Sequence, residues 1–204
     1  EQILSSHSKI TSGGELDYLQ RIIKKYYPET DNKKFIENVR KNFAKDKFDI
    51  RDEYIKKIKN RVSKSSIVVN KLPNNFVFLG FIRYCFPNSK VIHMNRDSKS
   101  VCLSIFKNYF PDNLLWYAYN EDDLIAYYNE YKNLISFWKL KLKSYVFELN
   151  YDDLVTNPEL EIKKVLKYLN LDWEDDIMSF NKQKNKITTV STTQARKNIY
   201  KSSI

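Results

Sequence analysis

Val91-Ile-His-Met-Asn-Arg-Asp-Ser-Lys-Ser-Val-Cys-Leu-Ser104 is the stretch that decides the fold of this chain. A short apolar run predicts a strand, a helical pattern begins at Ser98, and Arg96 and Asp97 fall between the two. An Arg side chain is a planar, permanently charged fork that matches phosphate oxygens. Ser104 lies two turns into the helix and can present a hydroxyl to the same anion. The stretch therefore predicts a phosphate site at the carboxyl end of a strand.

The same alternation of strand and helix extends over most of the chain. Apolar, β-branched runs predict strands over 66–70, 90–95 and 145–150. Helices are predicted around them, over 15–27, about 32–62, 74–86, 98–109, 121–141 and 158–169. Residues 1–7 resemble the end of a helix, and the two glycines of 11–15 predict a turn. Strands that alternate with helices indicate an α/β fold, with a parallel sheet covered on both faces.

Composition restricts the domain number and the class of partner, but it does not indicate a reaction. The 204 residues predict one domain over 1–204. A net charge of +10 favours an anionic partner such as a nucleotide, nucleic acid, sulfated glycan or acidic peptide, or else a solvated Lys-rich surface. Cys85 and Cys102 lack metal-ligand spacing and are expected to be free thiols. Without an apolar run of about 20 residues, we expect no membrane span and favour a cytoplasmic location.

Three polar or basic residues fall where predicted strands end: Lys71, Arg96 and Tyr151. Ligands of parallel α/β sheets bind at the carboxyl ends of strands, so these positions are candidates for one site. The residues alone leave simpler interpretations open. Arg96 could pair with Asp97, Lys71 could be an exposed surface lysine, and Glu15 could be a first-turn acid that complements the helix dipole.

Seven segments, in chain order, carry a family resemblance. They are Glu1-Gln-Ile-Leu-Ser-Ser-His7, Gly14-Glu15-Leu16, Lys71-Leu-Pro73, Phe86-Pro-Asn88, Arg96-Asp97 to Ser104, Tyr151-Asp-Asp-Leu-Val155 and Ser191-Thr-Thr-Gln194. As an ordered set they resemble the sulfotransferases that use 3'-phosphoadenosine 5'-phosphosulfate (PAPS). The resemblance is closest to the tyrosylprotein sulfotransferases and to bacterial sulfotransferases fused to tetratricopeptide repeats. It implies a three-layer, P-loop-like sandwich with a central parallel sheet flanked by helices.

The resemblance implies a donor-binding set. Arg96 and Ser104 would bind the 3'-phosphate of PAPS, and Tyr151 would contact the same cofactor. Arg196 would also touch the 3'-phosphate.

The resemblance implies a catalytic set as well. Glu15 would be the general base for the acceptor hydroxyl, and Lys71 and Ser191 would stabilise the transferring sulfonate and the bridging oxygen. A carboxylate can take the acceptor proton, and preset donors at the leaving oxygen are worth most in the transition state. The partner would be a hydroxyl-bearing acceptor (peptide tyrosine, carbohydrate or small molecule), with no metal and no nucleic acid. Tetratricopeptide repeats N-terminal to this segment are a further implication.

One part of the family pattern is missing from the chain. The Pro-x-Ser-Gly-Thr-Thr element that cradles the phosphosulfate should precede Glu1, and no Gly-x-x-x-x-Gly-Lys loop occurs elsewhere. We therefore expect a fragment that lacks the first strand and the phosphosulfate loop, binds PAPS poorly and turns over slowly. The alternatives are a kinase-like nucleotide enzyme, a non-enzymatic basic module that binds polyanions, and an inactive homologue.

Overall fold

The computed structural model describes residues 1–62, 67–110 and 113–182. Its strands are β1 (Ile10–Gly14), β2 (Ile67–Asn70), β3 (Val91–Asn95) and β4 (Val146–Asn150). Its α-helices are α1 (Tyr18–Tyr26), α2 (Asn32–Arg61), α3 (Leu79–Cys85), α4 (Ser98–Lys107), α5 (Glu121–Leu142), α6 (Tyr151–Thr156) and α7 (Pro158–Leu169). Short 3₁₀ helices cover Leu4–Ser6, Pro73–Phe78, Asn113–Tyr119, Lys143–Tyr145 and Asp175–Lys182.

The chain divides into two units, and the first comprises Glu1–Ser89 together with the 3₁₀ helix Asp175–Lys182. Its core forms where α1, α2 and α3 meet, because α1 repeats apolar residues at helical spacing and turns them inward. The buried members are Leu19, Ile22, Ile23, Tyr27, Ile50 and Cys85. Aromatic rings of α2 and α3 cover this cluster; Phe43 meets Phe81 edge to face at 5.1 Å between ring centroids.

The second unit contains Lys90–Glu174 and is organised by β3, β4 and α5. A helix cap and charged residues at the two ends of α5 explain its length. The Asn120 side chain accepts a hydrogen bond from Asp123 N at 3.0 Å, and three acids fill the first turn. Lys139 and Lys141 lie in the last turn, where positive charge complements the helix dipole. The single domain expected over 1–204 stays a prediction.

The described strands pair in parallel, as the alternating pattern predicts. β1 pairs with β2, and β3 pairs with β4. The first pair contains an irregularity, because the register jumps from Ser12↔Val69 to Gly14↔Asn70. The second pair is regular from Val91↔Val146 to Asn95↔Asn150.

Three predicted elements differ from the structure. The turn expected over 11–15 is mostly strand β1, since pairing with β2 outweighs the local preference of its glycines. The helix expected over 74–86 begins as the 3₁₀ segment Pro73–Phe78. The short helix α6 follows β4 directly and was not expected. In the described part of the chain, no helix combines the length and apolarity needed to cross a bilayer.

Candidate active site

Glu15 and Lys71 meet at the carboxyl end of the β1–β2 pair. The last register partners of this pair are Gly14 and Asn70, so the next residue of each strand emerges side by side. The Lys71 ammonium donates a hydrogen bond to Glu15 Oε1, and the two side chains form an ion pair. About two fifths of each side chain is exposed, at 38% for Glu15 and 40% for Lys71. The pair is therefore held in place while remaining open to solvent.

Arg96 and Tyr151 meet in the same way at the end of the β3–β4 pair. Asn95 and Asn150 are register partners, and the next residues of the two strands are Arg96 and Tyr151. The Arg96 Cζ atom lies over the Tyr151 ring, 4.5 Å from its centroid, as in a cation–π contact. Both residues are half-buried.

Helix caps fix the two segments that carry this second pair. The Asn150 side chain accepts from Asp152 N at 2.8 Å and Asp153 N at 3.1 Å, which starts α6 at Tyr151. The Asp97 carboxylate accepts from Ser100 N at 2.8 Å and caps α4.

The hydrogen bonds from Ser100 lower the pKa of Asp97, so this cap is charged at neutral pH. The Asp97 carboxylate therefore binds backbone at the N-terminus of α4. Ser104 lies in α4 and is exposed.

A polar network crosses the β3–β4 pair upstream of Arg96 and Tyr151. His93 faces Glu148 in register, with Nδ1 2.7 Å from Glu148 Oε1 and Nε2 2.5 Å from the Tyr131 hydroxyl. Lys139 Nζ donates to the other oxygen of Glu148 at 2.8 Å. Tyr131 and Lys139 belong to α5, so the network ties that helix to both strands.

Two predicted site residues, Ser191 and Arg196, lie outside the described residues. Sequence reasoning missed Asn70, whose side chain binds the peptide groups of Leu16. An Asn at a strand end is locally indistinguishable from a turn residue. Its contact with Leu16, which is 54 positions away in the chain, is visible only in the structure.

Comparison with known proteins places this geometry in context. The profile of the Sulfotransferase family matches residues 1–175. An uncharacterized protein of Aquifex aeolicus (strain VF5) is 30% identical over 219 residues, which cover 100% of this chain and 28% of that protein. Sulfotransferase 1A1 of Rattus norvegicus is 30% identical over 119 residues, covering 51% of this chain and 41% of the enzyme. The chain thus corresponds to less than half the length of either relative.

A solved structure shows the fold. The sulfotransferase domain from the curacin biosynthetic pathway superimposes with a TM-score of 0.61, covering 97% of this chain and 77% of that one, at 16% identity. The chain therefore has the fold of that domain, and the α/β prediction is confirmed.

Proposed function

Because the chain belongs to the sulfotransferase family, we propose that its full-length protein transfers a sulfonate group from PAPS to a hydroxyl acceptor. The acceptor is a peptide tyrosine, a carbohydrate or a small molecule. The observation that carries the proposal is the contact between Glu15 and Lys71, which sets a base beside a cation at a strand end. Such an arrangement suits a reaction in which a proton leaves one oxygen while charge builds on another.

Glu15 acts as the general base. Its carboxylate accepts the acceptor proton while the acceptor oxygen attacks sulfur. A new sulfur–oxygen bond forms on that side, and the bond from sulfur to the bridging oxygen breaks on the other. General-base assistance of this kind contributes about 10²–10⁴-fold to a rate.

Lys71 stabilises the charge that the breaking bond leaves on the bridging oxygen, with Ser191 as a second donor. In the structure the Lys71 ammonium is engaged by Glu15. Glu15 loses its negative charge as it takes the acceptor proton, while the electron pair of the broken bond develops on the bridging oxygen of the nucleotide product, so the Lys71 ammonium exchanges one anionic partner for the other. Its attraction to the new charge grows in the transition state, which is where stabilisation accelerates the reaction.

The residues at the end of the β3–β4 pair fit the 3'-phosphate of the donor. A guanidinium offers its face to an aromatic ring and its edge to a phosphate, so Arg96 can serve both at once. The Tyr151 ring supports that face at 4.5 Å from Arg96 Cζ. Ser104 and Arg196 would supply further donors to the same anion.

The family match favours sulfonate transfer over the kinase-like alternative. The polyanion-binding alternative rests on net charge, whereas the Glu15–Lys71 contact brings an acid into the site. A module that only binds polyanions has no use for a carboxylate there, because a negative charge repels the ligand.

The test is transfer of ³⁵S from labelled PAPS to a panel of phenolic peptides, sugars and small alcohols by the full-length protein. We expect Glu15→Gln to lower turnover about 10²–10⁴-fold and Lys71→Met about 10²–10³-fold. Matched controls come from the exposed pair Glu159 and Lys163 on α7, so Glu159→Gln and Lys163→Met should leave the rate unchanged. Wild-type rates in both site variants would overturn the assigned roles, and no labelled product from any acceptor would overturn the activity.

A further inference from the structure

The backbone on the N-terminal side of Glu15 is held by two hydrogen bonds. The Gly14 N–H donates to Glu1 Oε1 at 3.1 Å. The Gly14 carbonyl accepts from Lys71 N at 3.0 Å. The Ser12 hydroxyl also donates to Glu1 Oε1. The two peptide groups that flank Gly14 are thereby fixed, one to the Glu1 side chain and the other to the backbone just after β2.

Asn70 holds the backbone on the other side of Glu15 with both ends of its amide. Its Oδ1 accepts from Leu16 N at 3.1 Å, and its Nδ2 donates to Leu16 O at 3.0 Å. The reverse orientation of the amide would set two donors against each other, so the chemistry fixes the assignment. Nδ2 also donates to the Tyr54 hydroxyl of α2 at 3.2 Å. The side chain thus acts as one more peptide unit of β2, paired with Leu16.

The position of Asn70 couples it to both members of the ion pair. It is the register partner of Gly14, which precedes Glu15, and it directly precedes Lys71. The Glu15 side chain remains partly exposed, while Leu16 is 2% exposed. The segment is therefore anchored through Gly14 and the buried Leu16, and the reactive carboxylate projects from an anchored backbone.

We infer that Asn70 is a positioning residue for sulfonate transfer, because its amide fixes the segment between β1 and α1 that carries Glu15 and keeps the carboxylate beside Lys71. This inference rests on the proposed function of Glu15 as the general base. A positional error of about 1 Å in reacting groups can cost roughly 10²-fold in rate. An alanine at this position offers no hydrogen bond, and an aspartate offers acceptors but no donor.

A double-mutant cycle in the full-length protein separates positioning from general stabilisation. We expect Asn70→Ala to lower kcat by about 10–10²-fold while the KM for PAPS stays within about twofold. In a Glu15→Gln background the same change should cost less than about threefold, because a residue that acts through Glu15 has nothing left to position. Asn70→Asp keeps the side-chain shape and should behave like Asn70→Ala, so it serves if the alanine variant does not fold.

Two control variants set the scale of the effect. Tyr54→Phe removes only the outer hydrogen bond and should lower kcat less than Asn70→Ala. Asn42→Ala breaks a hydrogen bond of 2.5 Å to Asn38 within α2 and should leave kcat unchanged.

Undiminished kcat in both Asn70 variants, or losses that multiply with that of Glu15→Gln, would overturn the inference. Full activity of Glu15→Gln by itself would instead overturn the proposed function. The two failures are therefore distinguishable in one set of measurements.

Discussion

His93 Nδ1 lies 2.7 Å from Glu148 Oε1, and the two residues face each other in register across β3 and β4. The contact continues into α5 through the Tyr131 hydroxyl on one side and Lys139 on the other. Only 13% of the His93 side chain is exposed, and both of its ring nitrogens have partners. The pair therefore links the two strands that lead directly into Arg96 and Tyr151.

The stability of this unit should fall in acid through Glu148. Burial raises the pKa of Glu148, but hydrogen bonds and charges from Lys139 and His93 outweigh burial, so the folded pKa lies below the ordinary 4.5. A lowered folded pKa means that the contribution is fully present above pH 4.5 and is lost as pH falls through the folded value. Urea midpoints measured from about pH 3 to about pH 7 should show a steeper acid decline in wild type than in Glu148→Gln. Equal slopes would contradict this role; Glu159→Gln, from an exposed pair, is the control.

Cys85 should resist alkylation in the native protein. Burial raises the pKa of its thiol to about 11, and the nearby charges of Lys47 and Arg51 lower it only in part. The thiolate is the reactive form, and Cys85 is 2% exposed. Iodoacetamide labelling at about pH 8, read by peptide mass spectrometry, should therefore be much slower for Cys85 in native protein than in urea. Equal rates in the two conditions would show that the core around α1, α2 and α3 opens freely.

Donor binding should depend on the charge of Arg96 and on the ring of Tyr151. Hydrogen bonds to a charged group are worth about 1.5–3 kcal/mol, so Arg96→Ala should weaken binding of the desulfonated nucleotide about 10- to 100-fold. Tyr151→Leu should weaken it less, and Tyr151→Phe should change it little because the ring face remains. Isothermal titration calorimetry on the full-length protein measures these affinities, with Arg40→Ala on the exposed side of α2 as the control. Wild-type affinity in Arg96→Ala would remove Arg96 from the donor site.

Gly14 should be sensitive to any side chain. Its φ is +75°, a conformation that L-residues rarely adopt, although a Cβ there would meet no atom within 4 Å. The cost of Gly14→Ala is thus purely conformational, about 1–3 kcal/mol, and Gly14→Asn should cost less because Asn tolerates positive φ. Melting temperatures of the two variants test the order. A larger loss for Asn than for Ala would indicate a steric cause that the backbone geometry does not explain.

Much of this architecture follows from local pattern. The β-branched runs before Lys71 and Arg96 predict β2 and β3, and the helical pattern over 121–141 predicts α5. β1 was missed because Ser12 and the glycines after it favour a turn, and only pairing with β2 makes them a strand.

The candidate site, too, can be predicted from the sequence only in part. Glu15, Lys71, Arg96 and Tyr151 stand out by residue type at element ends, so sequence can nominate them. Their pairwise contacts depend on strand register, which is set by partners far away in the chain. Nothing in the sequence around Asn70 indicates its role, because that role depends on its hydrogen bond with the distant Leu16. The roles of Ser191 and Arg196 stay predictions.

The register match Gly14↔Asn70 has a consequence for the order of folding. The chain between these partners is largely the two helices α1 and α2, so β1 and β2 pair only after a long loop closes. The Glu15–Lys71 contact lies beyond the last rung of that ladder and forms only once the ladder is complete. Strand ends also fray first when a protein opens locally. The Glu15–Lys71 contact should therefore form late in refolding and be lost early on heating, before the secondary structure melts.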